Sequence, residues 1–362
     1  MKKFFSPIIL FVLILISSCS EKFNTAAPYK NITVIYGMLD QKDTAHYIRI
    51  QKAFLDENKS ALTMAQTADS SFYNNLNVSI KRYDFSNNLW DSIHLNRVDL
   101  NMEGYTKQTG TFFNSPNYAY KFKNTLDPNY IYRIVVTNVA TGQVDSADAP
   151  IINDKDTTLF TLQLFDDSVR NAYGMDFSTT IPGKVFEITG SYTSPSNFSF
   201  NNYTSPVGVS QCIIRFNWYD SNSVTKTKTP NYYDYNLGYQ ALSNGIYIDF
   251  KASNKYLYNA LSTGMGNAPA HTFRLIDRCD IFIYLGSYDY YTYYQIGLSQ
   301  GTGLTGNEIE PTYTNIKGQN ALGLYTSRGF RSGKITLTPA TYDSLLISPI
   351  MVNTNLIGKA YP

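Results

Sequence analysis

Histidine, cysteine and tryptophan are scarce in this sequence, with three His, three Cys and two Trp among 362 residues. His46, His94 and His271 lie far apart, and none has a second ligand at metal spacing, so a histidine-built metal centre is not expected. Long apolar runs are missing as well. After residue 18 nothing approaches the roughly 20 apolar residues that a helix needs to cross about 30 Å of hydrocarbon. Neither sign of charge prevails. The 30 basic and 28 acidic residues come into balance once Lys2 and Lys3 are set aside with the leader described below. A neutral body argues against nucleic acid and against polybasic attachment to a membrane surface.

Catalytic motifs fail on inspection. Gly297-Leu298-Ser299-Gln300-Gly301 has the GxSxG spelling, but a nucleophile elbow needs a histidine after its serine, and none follows Ser299. In Gly329-Phe330-Arg331-Ser332-Gly333-Lys334 the glycine spacing is one short of a phosphate loop, and Ile335 stands where Ser or Thr would hold magnesium. Asp154 and Asp156 lack the ligand ladder and glycine of a calcium loop and read as a solvated linker. No catalytic residue, metal or cofactor is expected.

The amino-terminal end is informative. Lys2 and Lys3 precede a run from Phe4 to Ile16 that is apolar except for Ser6 and Pro7, the order of a secretory leader and too short to span a bilayer. Ile16-Ser17-Ser18-Cys19 resembles the lipobox read by bacterial lipoprotein processing. That places a signal peptide at 1–18, a lipid on Cys19 and a polar tether over 19–30. Several acyl chains, at about 0.8 kcal/mol per buried CH₂, make such attachment lasting where one chain is marginal. Membrane contact is thus expected through the lipid, at the outer membrane, with the face left open.

The abundant residues are 31 Tyr and 21 Phe. Aromatic side chains pack well on pleated surfaces, and Asn, Ser and Thr favour the turns between strands. Short alternating runs at Ile32–Tyr36, Tyr47–Ile50, Val78–Tyr83, Trp90–Leu95, Tyr118–Phe122 and Tyr130–Thr137, with Val139–Gln143 as a hairpin turn, predict strands. The expected fold is all-β and mostly antiparallel. An immunoglobulin- or transthyretin-like sandwich at 31–150 precedes a second β-rich domain at 151–362, which carries one or two short helices. Asn254–Ser262 is helical in spacing, Tyr288–Ser299 fits helix or strand, and Thr341–Leu346 fits a short helical turn.

Cys212 and Cys279 both lie in strand-like segments and are either a disulfide of an oxidising compartment or two buried thiols. Two tyrosine clusters are candidate ligand or partner contacts: Tyr232, Tyr233, Tyr235 and Tyr239, then Tyr288, Tyr290, Tyr291, Tyr293 and Tyr294. Tyrosine offers a rigid apolar face and a hydroxyl at low entropy cost. The bland alternative is a tyrosine-rich protein packing itself with tyrosine. Triplets that open Asp-Ser or Asp-Thr, beginning at Asp43, Asp91, Asp145, Asp156, Asp167 and Asp343, resemble the O-glycosylation sequon of exported Bacteroidota proteins.

The lipobox cysteine, the strand Ile32-Thr33-Val34-Ile35-Tyr36-Gly37-Met38-Leu39-Asp40, the tyrosine-rich 283–296 stretch, Asn315-Ile316 and Ala321-Leu322-Gly323-Leu324-Tyr325 together carry a resemblance. It is to a Bacteroidota lipoprotein family catalogued as domain of unknown function 4249. The resemblance implies an accessory lipoprotein partnered with a TonB-dependent outer-membrane transporter, and it assigns no functional residues. The expected function is a non-enzymatic binding or accessory module, with a glycan or peptide as possible ligand. The alternative is a surface hydrolase of glycosidase type, whose two carboxylates need not be neighbours in sequence.

Overall fold

The structure is a computed structural model and describes residues 32–53, 60–156, 158, 160–162, 174–179, 183, 185–242, 247–299 and 313–359. The expected leader, Cys19 and the tether lie outside the described residues. The first half contributes β1 (Thr33–Asp40), β2 (Ala45–Lys52), β3 (Leu76–Tyr83), β4 (Leu89–His94), β5 (Asn96–Asp99), β6 (Tyr118–Lys123), β7 (Ile131–Asn138) and β8 (Val144–Pro150). The second contributes β9 (Phe160–Leu162), β10 (Val185–Tyr192), β11 (Val209–Asn222), β12 (Lys228–Ala241), β13 (Tyr247–Ser253), β14 (Thr272–Gly286), β15 (Ala321–Ile335) and β16 (Leu356–Lys359). The helices are short: α1 (Ala61–Ala65), α2 (Ala68–Ser71), α3 (Asn254–Met265), α4 (Tyr288–Ser299) and α5 (Pro339–Ile347).

Period-two burial explains the strands. Along β7, Tyr132, Ile134 and Val136 turn inward, and the hairpin closes where Gly142 donates to the Asn138 carbonyl at 2.8 Å. Along β1, Thr33, Ile35, Gly37 and Leu39 turn inward, so Tyr36 and Met38 face out. These faces assemble two layers in each half. A nine-stranded sheet in the order β12-β11-β14-β15-β1-β2-β6-β5, with β16 beside β14, runs through the molecule. Its β1-β2-β6-β5 wing shares a core with the sheet β4-β3-β7-β8, where Ile35, Ile48 and Ile50 meet Val78, Ile80, Ile134 and Ala147. Its other wing shares a core with the sheet β13-β10-β9 and with α3 and α5. There Cys212, Ile214, Ile281 and Ile283 join Ile188, Phe250, Leu257 and Leu345. The fold is therefore all-β and mostly antiparallel, with an amino-terminal sandwich.

Membership passes from the first core to the second between Ile151 and Ile152, beside the expected cut near Pro150. The sheet nevertheless crosses that cut. β1 pairs in parallel with β15 from Thr33 opposite Ala321 to Asp40 opposite Arg328, and Ile316, Ala321 and Tyr325 belong to the first core. In place of two consecutive units at 31–150 and 151–362, the late chain returns to complete the early one.

Candidate functional site

The face of the nine-stranded sheet turned away from both cores carries a row of rings and cations. Arg215 on β11 lies over Tyr232 of β12 at 4.0 Å and over Phe282 of β14 at 5.0 Å. Phe282 stacks beside Phe330 of β15 at 5.9 Å, Tyr284 tilts against Phe330 at 4.9 Å, and the Lys42 ammonium sits 5.4 Å from that ring. Asp234 fixes Arg215 through two hydrogen bonds of 2.7 and 2.8 Å. Tyr232 is 59% exposed, and Tyr36, Met38 and Tyr284 also reach solvent. Alternation places these residues opposite the inward Cys212, Ile214, Ile281 and Ile283.

Helix α4 lies over one end of this row. Ser287 caps it, its hydroxyl accepting from the Tyr290 N–H at 3.2 Å, and Asp289 sits in the first turn where the helix dipole favours a carboxylate. Close approach is possible because Gly286 has no side chain; a Cβ there would stand 2.6 Å from the Tyr290 ring. Tyr294 meets Tyr239 at 4.1 Å between centroids, and Tyr293 hydrogen-bonds Tyr36. Tyr239 reaches this side because a β-bulge lies between the Asn236–Ile213 and Tyr239–Gln211 pairs, where Gly238 holds φ +88°. Under the helix, Met38, Gln211, Tyr239, Tyr284, Tyr290 and Arg328 line a cavity of about 110 Å³. Burial, with Tyr290 and Tyr294 alongside, pushes the Tyr239 phenol up to about 12, so it remains a donor at neutral pH.

The expected tyrosines thus divide. Tyr239, Tyr290, Tyr293 and Tyr294 come together. Tyr232 joins the ring-and-cation row, whereas Tyr233 and Tyr235 pack against the second core, Tyr233 lying on α3 at Gly264. Tyr291 is half-buried and takes no part in these ring contacts. Tyr288 faces a different depression, stacking on Tyr203 at 3.8 Å. Next to that depression, and sharing Phe200, Asn201 and Asp289 with it, is a cleft of about 280 Å³ between the halves, lined by Asp148, Phe200, Asn201, Asp289, Tyr313 and Asn315 among others. Sequence reasoning missed Phe282, Phe330 and the cleft residues. The available signals were aromatic residues two apart in Phe282 and Tyr284, and Asn201-Asn202 between Phe200 and Tyr203 as a hairpin-turn pair.

Elsewhere one open alternative closes and one expectation is overturned. Cys212 and Cys279 are free, buried thiols. Cys212 lies opposite Ile283 and Cys279 opposite Phe216, so the two stand four residues out of register, roughly 13 Å along the strands and beyond disulfide reach. Asp154 is not solvated linker: its Oδ2 accepts from the Phe330 N–H at 2.7 Å and pairs with Lys42 at 3.0 Å. Gly297, Leu298 and Ser299 end helix α4 instead of forming a strand-to-helix turn, and Gln300 and Gly301 lie outside the described residues. Among the described residues no group of three or more His, Cys, Asp or Glu side chains is placed to hold a metal, and no helix is long and apolar enough to cross a membrane.

No family model matches the chain, and no curated protein matches it. Among solved structures it is similar to native E. coli alpha-2-macroglobulin, with 8% identity and a TM-score of 0.20, over 72% of this chain and 13% of that one. It is also similar to the C-terminal globular domain of oligosaccharyltransferase from Pyrococcus abyssi, with 8% identity and a TM-score of 0.21, over 70% and 48% of the two chains.

Proposed function

We propose that this chain is a lipoprotein of the bacterial outer membrane, acylated on Cys19, serving without catalysis as a binding or accessory module beside a TonB-dependent transporter. The observation that carries the reading is the outward row of Tyr232, Arg215, Phe282, Phe330 and Tyr284. Aromatic and arginine side chains are enriched where proteins make contact, because they bury large area around a fixed polar handle. Ion pairing of Arg215 with Asp234 holds the row in shape before any partner arrives.

The test is capture of the acylated protein from native membranes in mild detergent, with the transporter identified by mass spectrometry. Replacing Tyr232, Tyr284 and Phe330 together by alanine lowers co-recovery about tenfold or more, single hot-spot rings contributing ~1–2 kcal/mol each. Tyr256→Ala, an exposed ring on α3 across the sheet, leaves recovery unchanged. Absence of a transporter from the unaltered eluate, or equal recovery with the triple variant, overturns the reading. In the same preparations Cys19→Ser releases the protein from the membrane fraction.

A hydrolase reading has one observation in its favour, since Asp148 and Asp289 line the same cleft. Arg133 and Lys317 hold the first carboxylate, and Tyr313 and Asn315 hold the second. Carboxylates so engaged suit anchoring better than the proton transfer a glycosidase requires.

A further inference from the structure

The cleft between the halves is built from four segments distant in sequence. Strand β8 supplies Asp148, the tight turn at 200–203 supplies Phe200 and Asn201, the first turn of α4 supplies Asp289, and the strap at 313–317 supplies Tyr313, Asn315 and Lys317. Each is fixed from behind. Lys317 is locked to β8 by a two-way backbone bridge with Ser146, donating at 2.6 Å and accepting at 2.8 Å. Asn315 is tied to the Tyr325 backbone by bonds of 2.7 and 3.0 Å and donates to Asp289 at 3.1 Å. Asn201 and Asn202 both hold left-handed backbone, φ +48° and +66°, in a two-residue turn closed by Tyr203 N–H to Phe200 carbonyl at 2.8 Å.

The lining selects among ligand classes. A metal cation finds Asp148 neutralised by Arg133 at 2.5 Å and Lys317 at 3.1 Å, which leaves only Asp289, with one donor from Tyr313 and one from Asn315 and acceptor sites to spare, too few ligands for a metal. An anion meets the charge of Asp289 and finds Arg133 and Lys317 already paired with Asp148. An apolar ligand would bury amides and charges without partners, which costs more than the rings return. What fits is an uncharged molecule with hydroxyls for the amide and carboxylate edges and a C–H face for the flat rings of Phe200 and Tyr313. Position agrees with this, because ligand clefts favour the junctions between packed units. We infer that this cleft binds a neutral oligosaccharide, with Asn201 and Asp289 meeting sugar hydroxyls and Tyr313 stacking on a sugar ring. The inference goes beyond the partner-binding row and does not depend on it.

The full acylated chain in detergent, applied to an array of neutral plant and bacterial oligosaccharides and followed by titration calorimetry with the best-binding one, reads this directly. Asn201→Gly keeps the left-handed backbone and removes only the amide; it weakens binding about tenfold, the loss of roughly one hydrogen bond. Tyr313→Phe retains most of the affinity and Tyr313→Ala weakens it tenfold or more, with melting temperatures near that of the unaltered protein. The Tyr232, Tyr284 and Phe330 triple variant binds the sugar normally, so failure of the partner reading is told apart from failure of this one. The inference is overturned if no array member binds at millimolar concentration, if only charged glycans or peptides bind, or if Asn201→Gly and Tyr313→Ala leave affinity unchanged.

Discussion

At the scale of single residues, His46 shows how burial turns into pH dependence. Its Nε2 lies 3.0 Å from the Asn124 carbonyl oxygen and its ring packs 4.8 Å from Phe122. Burial lowers its pKa below the ordinary 6.5, against the opposing pull of the Asn124 carbonyl, Asp43 and Asp40. The folded state therefore prefers the neutral ring. A group whose folded pKa is depressed in this way stabilises fully above pH 6.5, and that contribution is lost as the pH falls below it. The melting temperature accordingly drops as the pH falls below about 6.5, and His46→Gln flattens that part of the curve. Asp154 works in the opposite sense, since burial raises its carboxyl and acidification favours its folded form. Comparison of the variant with the unaltered protein isolates the histidine; equal slopes would remove it as the cause.

Among elements, the junction of β1 and β15 carries the most consequence. Gly323 has φ +121°, and a Cβ there would stand 1.9 Å from the Ile35 carbonyl oxygen. Gly323→Ala therefore strains the backbone and forces β1 and β15 apart; a loss of about 3 kcal/mol or more is expected, read as a lower urea midpoint. A midpoint within experimental error of the unaltered protein would show that the ladder gives way freely there. This pairing was not legible in the sequence, because Ala321–Tyr325 and Ile32–Asp40 are nearly three hundred residues apart and local periodicity is silent about partners. Where one face is buried and the other wet, as in β7, alternation sufficed. Along β12 it did not: this edge strand begins Lys228, Thr229, Pro230 and Asn231 and has no fully buried position, and tyrosine stands on both its inward face, at 233 and 235, and its outward face, at 232. Tyrosine tolerates both periods, so α4 was undecided until Ser287 capped it. The tyrosine clusters themselves were visible in the sequence. Their convergence was not, since it depends on the one-residue bulge that turns Tyr239 outward.

At the scale of the molecule, the continuous sheet makes the two cores dependent on one another. Ile35 is fully buried partly because Tyr325 and Ala321, from near the far end, complete the first core. The turn after β1 also reaches the second half: Gln41 Oε1 accepts from the Asp154 and Lys155 N–H groups at 3.2 and 3.3 Å, and Asp40 pairs with Arg328 at 3.0 Å. A chain ending at Asn153 keeps every strand of the amino-terminal sandwich but loses β15. It leaves β1 as an unpaired edge, uncovers Ile35 and Leu39, and strips Asp40 of its partner. Such an edge is a template for association, and the lost burial of each large apolar side chain is about 1.5–3 kcal/mol, comparable in sum to the whole stability of a domain. The truncated chain is therefore expected to lack a cooperative thermal transition by circular dichroism and to self-associate in sedimentation. The full chain melts in a single step as both cores lose their shared sheet together. A sharp transition of the fragment, at a temperature near that of the intact protein, would show that the early sandwich stands without the strand that returns to it.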